Sequence, residues 1–268
     1  MKPPPCVLTI AGSDSGAGAG LQADSRTIHA LGGYALTAVT AITAQNSRTV
    51  AAWRAVSPYL LAAQISAVAE DFPVRAIKTG LLPGTAAVRA VVAALAALPG
   101  IPLVIDPVIG STSGTRFLSD AGLRALKRDL FPRAALVTPN WPEAALLTGL
   151  PVTTFAEAEI AARHLLATGC AAVLVKGGHA PGRVCRDILV TAGGRTRLLE
   201  SPRIATRNTH GTGCVLSAAI ATGLAHGRPL ATAISRAHAF LQHSLSVHRR
   251  LKLGTGAGPS FPGVRRRW

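Results

Sequence analysis

The sequence predicts an α/β fold, a three-layer α/β/α sandwich built on a mostly parallel central sheet. Short apolar runs alternate with longer amphipathic segments along most of the chain. With 268 residues, of which 49% are hydrophobic and 15% charged, the chain can bury a large core. Polar residues and glycines follow the apolar runs, and the carboxyl ends of parallel strands are where such sheets bind ligands. We therefore expect one domain over residues 1–268.

Six compact apolar runs are the candidate strands, because strands buried on both faces of a parallel sheet are apolar throughout. They cover residues 6–11, 36–45, 76–79, 103–106, 135–138 and 171–176. Candidate helices lie between them, over residues 19–31, 58–70, 85–98, 119–130, 142–147 and 155–167. This alternation is typical of right-handed crossovers in a parallel sheet.

The pattern changes after Lys176. Residues 186–191 and 196–200 flank the turn-forming stretch Ala192-Gly193-Gly194-Arg195, which predicts a β-hairpin. Two further helices are expected over residues 213–225 and 230–247. The tail from about residue 254 to 268 is rich in glycine and proline, and we expect it to pack loosely.

The chain is strongly basic, with 28 Lys and Arg residues against 12 Asp and Glu and a formal net charge of +16. One interpretation is nucleic-acid binding, which a salt-dependent gel shift would test. However, the basic residues are spread along the chain, whereas nucleic-acid-binding domains usually cluster them and interleave aromatic residues. We favour a cleft for small anionic ligands and expect no nucleic-acid partner.

The four cysteines, Cys6, Cys170, Cys185 and Cys214, lie far apart and form no CxxC motif. This pattern predicts neither a zinc site nor a disulfide framework and indicates a reducing compartment. Residues 1–12 make a poor signal peptide, and no uninterrupted apolar stretch approaches the length of about 18 residues that suggests a membrane span. We expect a soluble cytoplasmic protein without a membrane partner.

The glycine-rich segment 11–20 follows the first strand and opens a helix. Glycines let the backbone approach a ligand closely, and a helix start favours anions. Asp14 lies inside this loop and Asp24 follows it, and no GK[ST] sequence is present, which excludes a P-loop. A structural glycine turn is the alternative.

Three polar segments stand at the ends of later strands. Gln45 and Asn46 offer amide donors and acceptors that suit the edge of a heterocycle, although either could be a cap. Asp106 ends a buried strand, where a carboxylate either holds Mg²⁺ or caps the strand. In segment 138–143 (TPNWPE), the asparagine and glutamate suit a helix capping box as well as a ligand.

Two segments suit phosphate binding. Lys176 stands at a strand end before two glycines, from where its side chain can reach a polyphosphate. Segment 208–214 (NTHGTGC) leads directly into an alanine-rich helix, so its backbone N–H groups predict an anion hole. Cys214 lies in the first helical turn, where the dipole predicts a lowered thiol pKa. A buried structural cysteine is the alternative.

With these segments in this order, the chain resembles the ribokinase-like superfamily. Within it, the chain resembles the bacterial hydroxymethylpyrimidine/phosphomethylpyrimidine kinases of thiamine biosynthesis from about residue 8 to 247. The resemblance rests on segment 11–20 and on six motifs: TAQN at 43–46, KTG at 78–80, DPV at 106–108, TPNxxE at 138–143, KGGH at 176–179 and GTGC at 211–214. The chain departs from the family at Leu81, where methionine is frequent. It also departs over residues 109–114, where many relatives carry a phosphate-contacting lysine that Thr112 or an arginine would replace.

The resemblance implies ATP and Mg²⁺ as cofactors, a small pyrimidine as substrate and a homodimer. It implies contacts with the pyrimidine from Gly12, Asp24, Gln45, Leu81 and Val108. It implies metal contacts from Asp106, Thr138 and Glu143, and nucleotide contacts from Asn140, Lys176, Thr209 and Thr212. It implies catalytic roles for Cys214, Gly211, Gly213 and Lys176.

The activity implied by the resemblance is ATP-dependent phosphorylation of 4-amino-5-hydroxymethyl-2-methylpyrimidine and then of its monophosphate to the diphosphate. A pyridoxal or pyridoxine kinase of the same fold is the first alternative, because its substrate is also a ring with a hydroxymethyl group. Gln45 and the Ser13-Asp14-Ser15 loop favour the pyrimidine. A non-catalytic binding or regulatory protein on this scaffold is the second alternative.

Overall fold

The computed structural model describes residues 3–111, 114–178, 180 and 182–261. In this part of the chain, eight α-helices flank one nine-stranded sheet. The strands are β1 (Cys6–Asp14), β2 (Tyr34–Gln45), β3 (Val50–Ala55), β4 (Val74–Thr79), β5 (Leu103–Ile105), β6 (Leu136–Val137), β7 (Ala172–Val175), β8 (Val184–Thr191) and β9 (Thr196–Pro202). The helices are α1 (Gly20–Ala30), α2 (Pro58–Asp71), α3 (Gly84–Ala94), α4 (Asp120–Ala125), α5 (Trp141–Thr148), α6 (Phe155–Leu166), α7 (Thr212–Ala225) and α8 (Leu230–Val247). None of these helices combines the length and apolar character needed to span a membrane.

The order of strands in the sheet is β3-β2-β1-β4-β5-β6-β7-β8-β9. The six strands β2, β1, β4, β5, β6 and β7 pair in parallel, whereas β3 at one edge and the β8–β9 hairpin at the other are antiparallel. The chain moves from β1 to β2 on one side and then crosses to β4 on the other side of β1. Such a reversal opens a crevice at the carboxyl ends of the strands, which is where ligands bind in open α/β sheets.

Apolar layers cover both faces of the sheet. Along β1, Leu8 and Ile10 belong to the core cluster that includes residues of helices α2 to α6. Val7 belongs to the opposite cluster, with residues of α1, α7 and α8 such as Ile28 and Ile234. The alternation follows from the period of two along a strand. The predicted α/β/α sandwich with a mostly parallel sheet is confirmed.

Two local features differ from the expectations. Strand β3 was not predicted, because Val50–Ala55 is mostly exposed and shows no apolar alternation. The helix expected over residues 119–130 is interrupted: α4 ends at Ala125 and the chain continues as a wider helical turn over Leu126–Leu130.

The C-terminal tail also differs from the expectation. Residues 254–261, here called the C-terminal strap, pack against two loops. The strap bonds to the backbone of His210 on both sides, through His210 N–H to Gly258 O (3.0 Å) and Ser260 N–H to His210 O (3.0 Å). At its other end, the N–H of Ala257 donates to Ser47 O at 3.1 Å. The expected loose packing is therefore wrong for the strap, and residues 262–268 lie outside the described residues.

Candidate active site

The loop after β1 is organised by Asp14. Its carboxylate accepts hydrogen bonds from the backbone N–H groups of Gly16 (2.8 Å), Gly18 (3.0 Å) and Ala19 (2.9 Å). Burial opposes ionisation of Asp14, but the hydrogen bonds from His210 and from Ala19 outweigh it and hold the pKa of this carboxyl below its usual range. These backbone donors already serve a protein carboxylate, so this loop is not an open phosphate cradle.

Asp24 and Lys78 form an ion pair in the protein interior. Neither side chain has any exposed surface, their nitrogen–oxygen distance is 2.8 Å, and Thr9 donates to the same carboxylate oxygen at 2.6 Å. Burial disfavours the ammonium group, but the charge of Asp24 outweighs it and the pKa of Lys78 is raised. A Cβ at Gly80 would lie 2.9 Å from Lys78 Nζ, so this pair underlies the end of β4. Asp24 therefore acts on the cleft through Lys78, and its direct contact with a substrate stays a prediction.

Asp106 is the centre of a polar cluster at the end of β5. Its Oδ1 accepts a hydrogen bond from Lys176 Nζ at 2.7 Å and from Thr138 Oγ1 at 3.3 Å, and its Oδ2 accepts one from Ser217 Oγ at 3.3 Å. Although burial opposes ionisation, Lys176 and Lys78 outweigh it and lower the pKa of Asp106. The structure thus joins the ends of three neighbouring strands, β5, β6 and β7, with helix α7.

Asn140 and Glu143 form the expected capping box of α5. The side chain of Asn140 accepts from the Glu143 N–H at 2.9 Å, and Glu143 Oε2 accepts from the Asn140 N–H at 2.8 Å. Burial raises the pKa of Glu143 to about 7. The charge of Asp106 also raises this pKa, whereas the charge of Lys176 opposes the rise. The capping interpretation is confirmed, and the same carboxyl also feels the charges of the Asp106 cluster.

The segment before α7 folds as a turn against two parts of the site. Gly211 has a φ of 81°, and a Cβ there would lie 2.0 Å from Gly18 O, so this position requires glycine. A Cβ at Gly213 would lie 3.0 Å from Lys176 Nζ and 3.5 Å from Asp106 Oδ2. The first N–H groups of a helix have no intrahelical partner. The turn therefore brings backbone donors next to the Lys176 ammonium group, as an anion site needs.

Cys214 lies in the first turn of α7 and is partly buried. Burial, reinforced by the charges of Asp24 and Asp106, raises the pKa of the thiol to about 11, although Lys78 opposes the rise. The expected lowering of this pKa is therefore wrong. The helix dipole acts on a thiol that is shielded from most of the solvent and lies near two carboxylates, and the loss of hydration outweighs the dipole.

An apolar wall stands beside these groups. Leu81 belongs to a buried cluster with Ala41 and Phe117, against which Val108 and Trp53 pack. A Cβ at Gly12 would lie 3.1 Å from Leu81 Cδ2, so the glycine leaves room for this wall. The structure thus brings together Gly12, Leu81 and Val108. Gln45 is half-buried at the end of β2, where its amide nitrogen lies 3.3 Å from His210 Nε2.

Four further positions complete the comparison between the predicted site and the structure. Thr209 is exposed, and its carbonyl oxygen accepts from the Thr212 N–H at 3.3 Å. Ser217 was missed, although it follows Gly213 by four residues on a helix and so shares its face. Thr112 and His179 lie outside the described residues.

Comparisons with known proteins show which family this chain belongs to. The phosphomethylpyrimidine kinase family model matches residues 14–260. A hydroxymethylpyrimidine/phosphomethylpyrimidine kinase from Rhizobium meliloti is 47% identical over 254 residues, which cover 94% of both chains. Among solved structures, a phosphomethylpyrimidine kinase from Clostridium difficile matches with a TM-score of 0.79 and 35% identity, covering 90% of this chain and 99% of that one. The ADP complex of a pyridoxal kinase from Staphylococcus aureus matches with a TM-score of 0.89 and 29% identity, covering 98% and 95%.

The fold and the cleft at its strand ends define a ribokinase-like kinase. The family match extends over most of the chain and over nearly all of the described residues of the site. The chain belongs to the phosphomethylpyrimidine kinase family.

Proposed function

We propose that this chain uses ATP to phosphorylate 4-amino-5-hydroxymethyl-2-methylpyrimidine, and then the monophosphate to the diphosphate, in thiamine biosynthesis. The observation that carries the proposal is the contact of the Gly213 turn with the Lys176–Asp106 ion pair. Backbone donors and an ammonium group there converge on one point at the carboxyl edge of the sheet. That is the arrangement that phosphoryl transfer needs, since its catalysis consists mostly of positioning and charge stabilisation.

The phosphates of ATP would lie along this edge. Lys176 is only 13% exposed and is directed at the turn, so its charge would act on the transferring phosphoryl group. The N–H groups of the Gly211–Gly213 turn would stabilise the charge that this group carries in the transition state. Asn140 at the start of α5, and Thr209 and Thr212 before and at the start of α7, would contact the nucleotide.

The donor set fits Mg²⁺. Among the residues that the structure describes, no three His, Cys, Asp or Glu side chains gather as a complete metal site. Mg²⁺ bound with ATP needs only one or two carboxylates, because phosphates and waters supply the other oxygens. Asp106 is buried and Glu143 is partly buried, and the two carboxyls are close enough for the charge of Asp106 to raise the pKa of Glu143, which a cation would relieve. Asp106 and Glu143, with Thr138, would hold the ion, which would neutralise charge on the triphosphate.

The proposed transfer step forms one bond to the γ-phosphorus and breaks another. The hydroxymethyl oxygen of the pyrimidine forms a bond to the γ-phosphorus, the bond from this phosphorus to the bridging oxygen breaks, and ADP leaves. Cys214 would accept the hydroxyl proton. With a pKa of about 11, the thiol must first release its own proton to solvent, and Lys78 is the cation that favours the resulting thiolate.

The pyrimidine would lie against the wall of Gly12, Leu81 and Val108, with its polar edge toward Gln45. The four free cysteines are compatible with a cytoplasmic location, which we include in the proposal together with a homodimer.

A pyridoxal kinase is the second candidate, because Staphylococcus aureus pyridoxal kinase shares the fold at a TM-score of 0.89. The test compares kcat/KM for the hydroxymethylpyrimidine, its monophosphate and pyridoxal, with ADP release as the readout. We expect both pyrimidines to be preferred over pyridoxal. A preference for pyridoxal would overturn the proposal in favour of the second candidate. If none of the three compounds supported ADP release, both candidates would be overturned.

A further inference from the structure

Asp187 is a buried acidic residue to which the proposed mechanism assigns no role. It lies on β8, and its Oδ1 accepts a hydrogen bond from the N–H of Gly177 at 2.7 Å. Gly177 directly follows Lys176, the residue that we place at the transferring phosphoryl group. A Cβ at Gly177 would lie 1.8 Å from Arg186 O, so the chain passes directly against β8 at this point. Asp187 therefore holds the backbone next to Lys176.

The second oxygen of the same carboxyl faces α8. His238 Nε2 lies 3.2 Å from Asp187 Oδ2, which leaves Oδ1 to Gly177. Burial raises the pKa of Asp187, and the charge of His238 is the largest effect that opposes the rise. The charge of Lys176 opposes it as well, so Lys176 and Asp187 are close enough to interact.

The far end of the turn that begins at Gly177 is held by Arg203, which follows β9. Arg203 Nη1 donates to Gly178 O at 3.0 Å, and Arg203 Nη2 donates to Ala180 O. The N–H of Ala180 closes the turn by donating to Gly177 O at 3.0 Å. Side chains from the β8–β9 hairpin and its end thus fix this turn on both sides.

Lys176 needs a fixed backbone because its ammonium contact has to change. Its Nζ donates to Asp106 Oδ1 at 2.7 Å, whereas the proposed transfer places this group at the phosphoryl group. A lysine carries its charge on a flexible four-carbon stem, so the charge is aimed only as well as the backbone is held. The N–H of Lys176 donates to Pro139 O at 2.8 Å, which anchors the residue on the side of β6. Asp187 supplies the anchor on the side of β8.

We propose that Asp187, assisted by Arg203, is a positioning residue that fixes the backbone after Lys176 and thereby aims the Lys176 ammonium group at the transferring phosphoryl group. This inference rests on the proposed function, because that function gives Lys176 its role. The contact with Gly177 requires an acceptor oxygen at position 187. Asparagine keeps such an oxygen, whereas alanine removes it.

The first test is a single-turnover measurement of phosphoryl transfer to the pyrimidine, made on variants whose folding is verified by circular dichroism. We expect Asp187→Ala to lower the rate about tenfold to a hundredfold with the KM for the pyrimidine unchanged, because small misplacements of a reacting group cost this much. Asp187→Asn should stay within about threefold of the wild type, because it retains the acceptor. Glu200→Ala, which removes an exposed carboxylate of the same hairpin, is the matched control.

A double-mutant cycle with Lys176→Met distinguishes positioning from a merely structural role. A residue that acts through Lys176 has no further effect once the ammonium group is gone, so Asp187→Ala should change the rate of Lys176→Met by less than about twofold. An equal loss in both backgrounds would overturn the proposal. A normal rate in Asp187→Ala, or an Asp187→Asn enzyme as slow as Asp187→Ala, would overturn it too.

Arg203→Met keeps the test decisive if Asp187→Ala does not fold, because the Arg203 side chain is exposed. It releases the far end of the turn and should lower the single-turnover rate about threefold to tenfold, a smaller misplacement than the loss of Asp187 causes. The same substitution should leave the rate of Lys176→Met unchanged. A normal rate in Arg203→Met together with a slow Asp187→Asn would overturn the proposal.

A binding measurement separates this inference from the proposed function. Calorimetry without any pyrimidine gives the affinities for Mg²⁺-ADP and for a Mg²⁺-bound non-hydrolysable ATP analogue, which differ by the phosphate that Lys176 would contact. We expect Asp187→Ala to lower the ratio of analogue to ADP affinity about threefold to tenfold, and the double variant with Lys176→Met to lower it no further than Lys176→Met alone. An unchanged ratio in Asp187→Ala would overturn the inference. Failure of the wild type to phosphorylate any pyrimidine would overturn the proposed function, and the binding cycle would still decide the inference.

Discussion

Replacing Cys214 by serine tests the chemical step most sharply. Serine keeps the size of the side chain, but its hydroxyl is a much weaker acid than the thiol. The variant therefore has no thiolate or comparable anionic base at position 214 at neutral pH. Loss of a general base lowers turnover by roughly 10²–10⁴. We expect that decrease in Cys214→Ser, with ATP binding and the melting temperature close to those of the wild type.

The raised pKa adds a second signature. A thiol with a pKa of about 11 is ionised in about one molecule in ten thousand at pH 7, which corresponds to about 5 kcal/mol. If the thiolate is the base, the wild-type rate should rise about tenfold per pH unit between pH 7 and 9, and that of Cys214→Ser should not. Alkylation of Cys214 should accelerate over the same range, and bound ATP with pyrimidine should protect the thiol.

The assay is a single-turnover rapid-quench experiment, in which phosphoryl transfer is measured apart from product release. Cys185→Ser is the matched control, because Cys185 is also free and partly buried but lies on β8. A Cys214→Ser enzyme with a near-normal single-turnover rate and the wild-type pH profile would show that Cys214 is not the base. The backbone donors of the turn would then carry the catalysis.

Three further substitutions test the remaining parts of the site. Asp106→Asn should raise the Mg²⁺ concentration needed for half-maximal activity and lower turnover without unfolding the chain; an unchanged Mg²⁺ titration would make this carboxylate structural. Gln45→Leu should lower kcat/KM for the pyrimidine by about tenfold to a hundredfold with the KM for ATP unchanged, and an equal loss for both substrates in initial-rate kinetics would contradict the assignment. Lys78→Met leaves Asp24 charged and unpaired in the interior, which should cost about 3–5 kcal/mol in urea unfolding. The double variant Lys78→Met with Asp24→Asn should recover part of this loss, and an additive loss would show that the two residues do not act as a pair.

The parallel part of the sheet could be predicted because its strands are buried on both faces, which leaves compact apolar runs such as residues 171–176. Strand β3 could not, because Val50–Ala55 is mostly exposed at an edge and its pairing with β2 leaves no apolar pattern. The strap could not either. Its contacts with His210 and Ser47 are made by backbone groups, which leave little trace in side-chain chemistry.

In the site, too, features set by neighbouring residues could be predicted, whereas features set by residues distant in sequence could not. The Asn140–Glu143 capping box follows from residues three apart and was anticipated. The pKa of Cys214 depends on its burial and on the charges of Lys78, Asp24 and Asp106, which are distant in sequence, so the residues of the helix start alone do not predict it. The approach of Lys78 and Asp24, which are 54 residues apart, is likewise a product of the sheet order.

In the proposed function, one cleft transfers phosphate to the hydroxymethylpyrimidine twice. A ³¹P NMR time course, with purified protein, ATP, Mg²⁺ and the unphosphorylated pyrimidine as the only acceptor, tests it most directly. We predict a monophosphate resonance that appears first and then declines as the paired resonances of a diphosphate ester grow, with ADP formed at each step. Hydrolysis of ATP without any pyrimidine phosphate would contradict the claim, and a monophosphate that accumulates and never converts would contradict its second half.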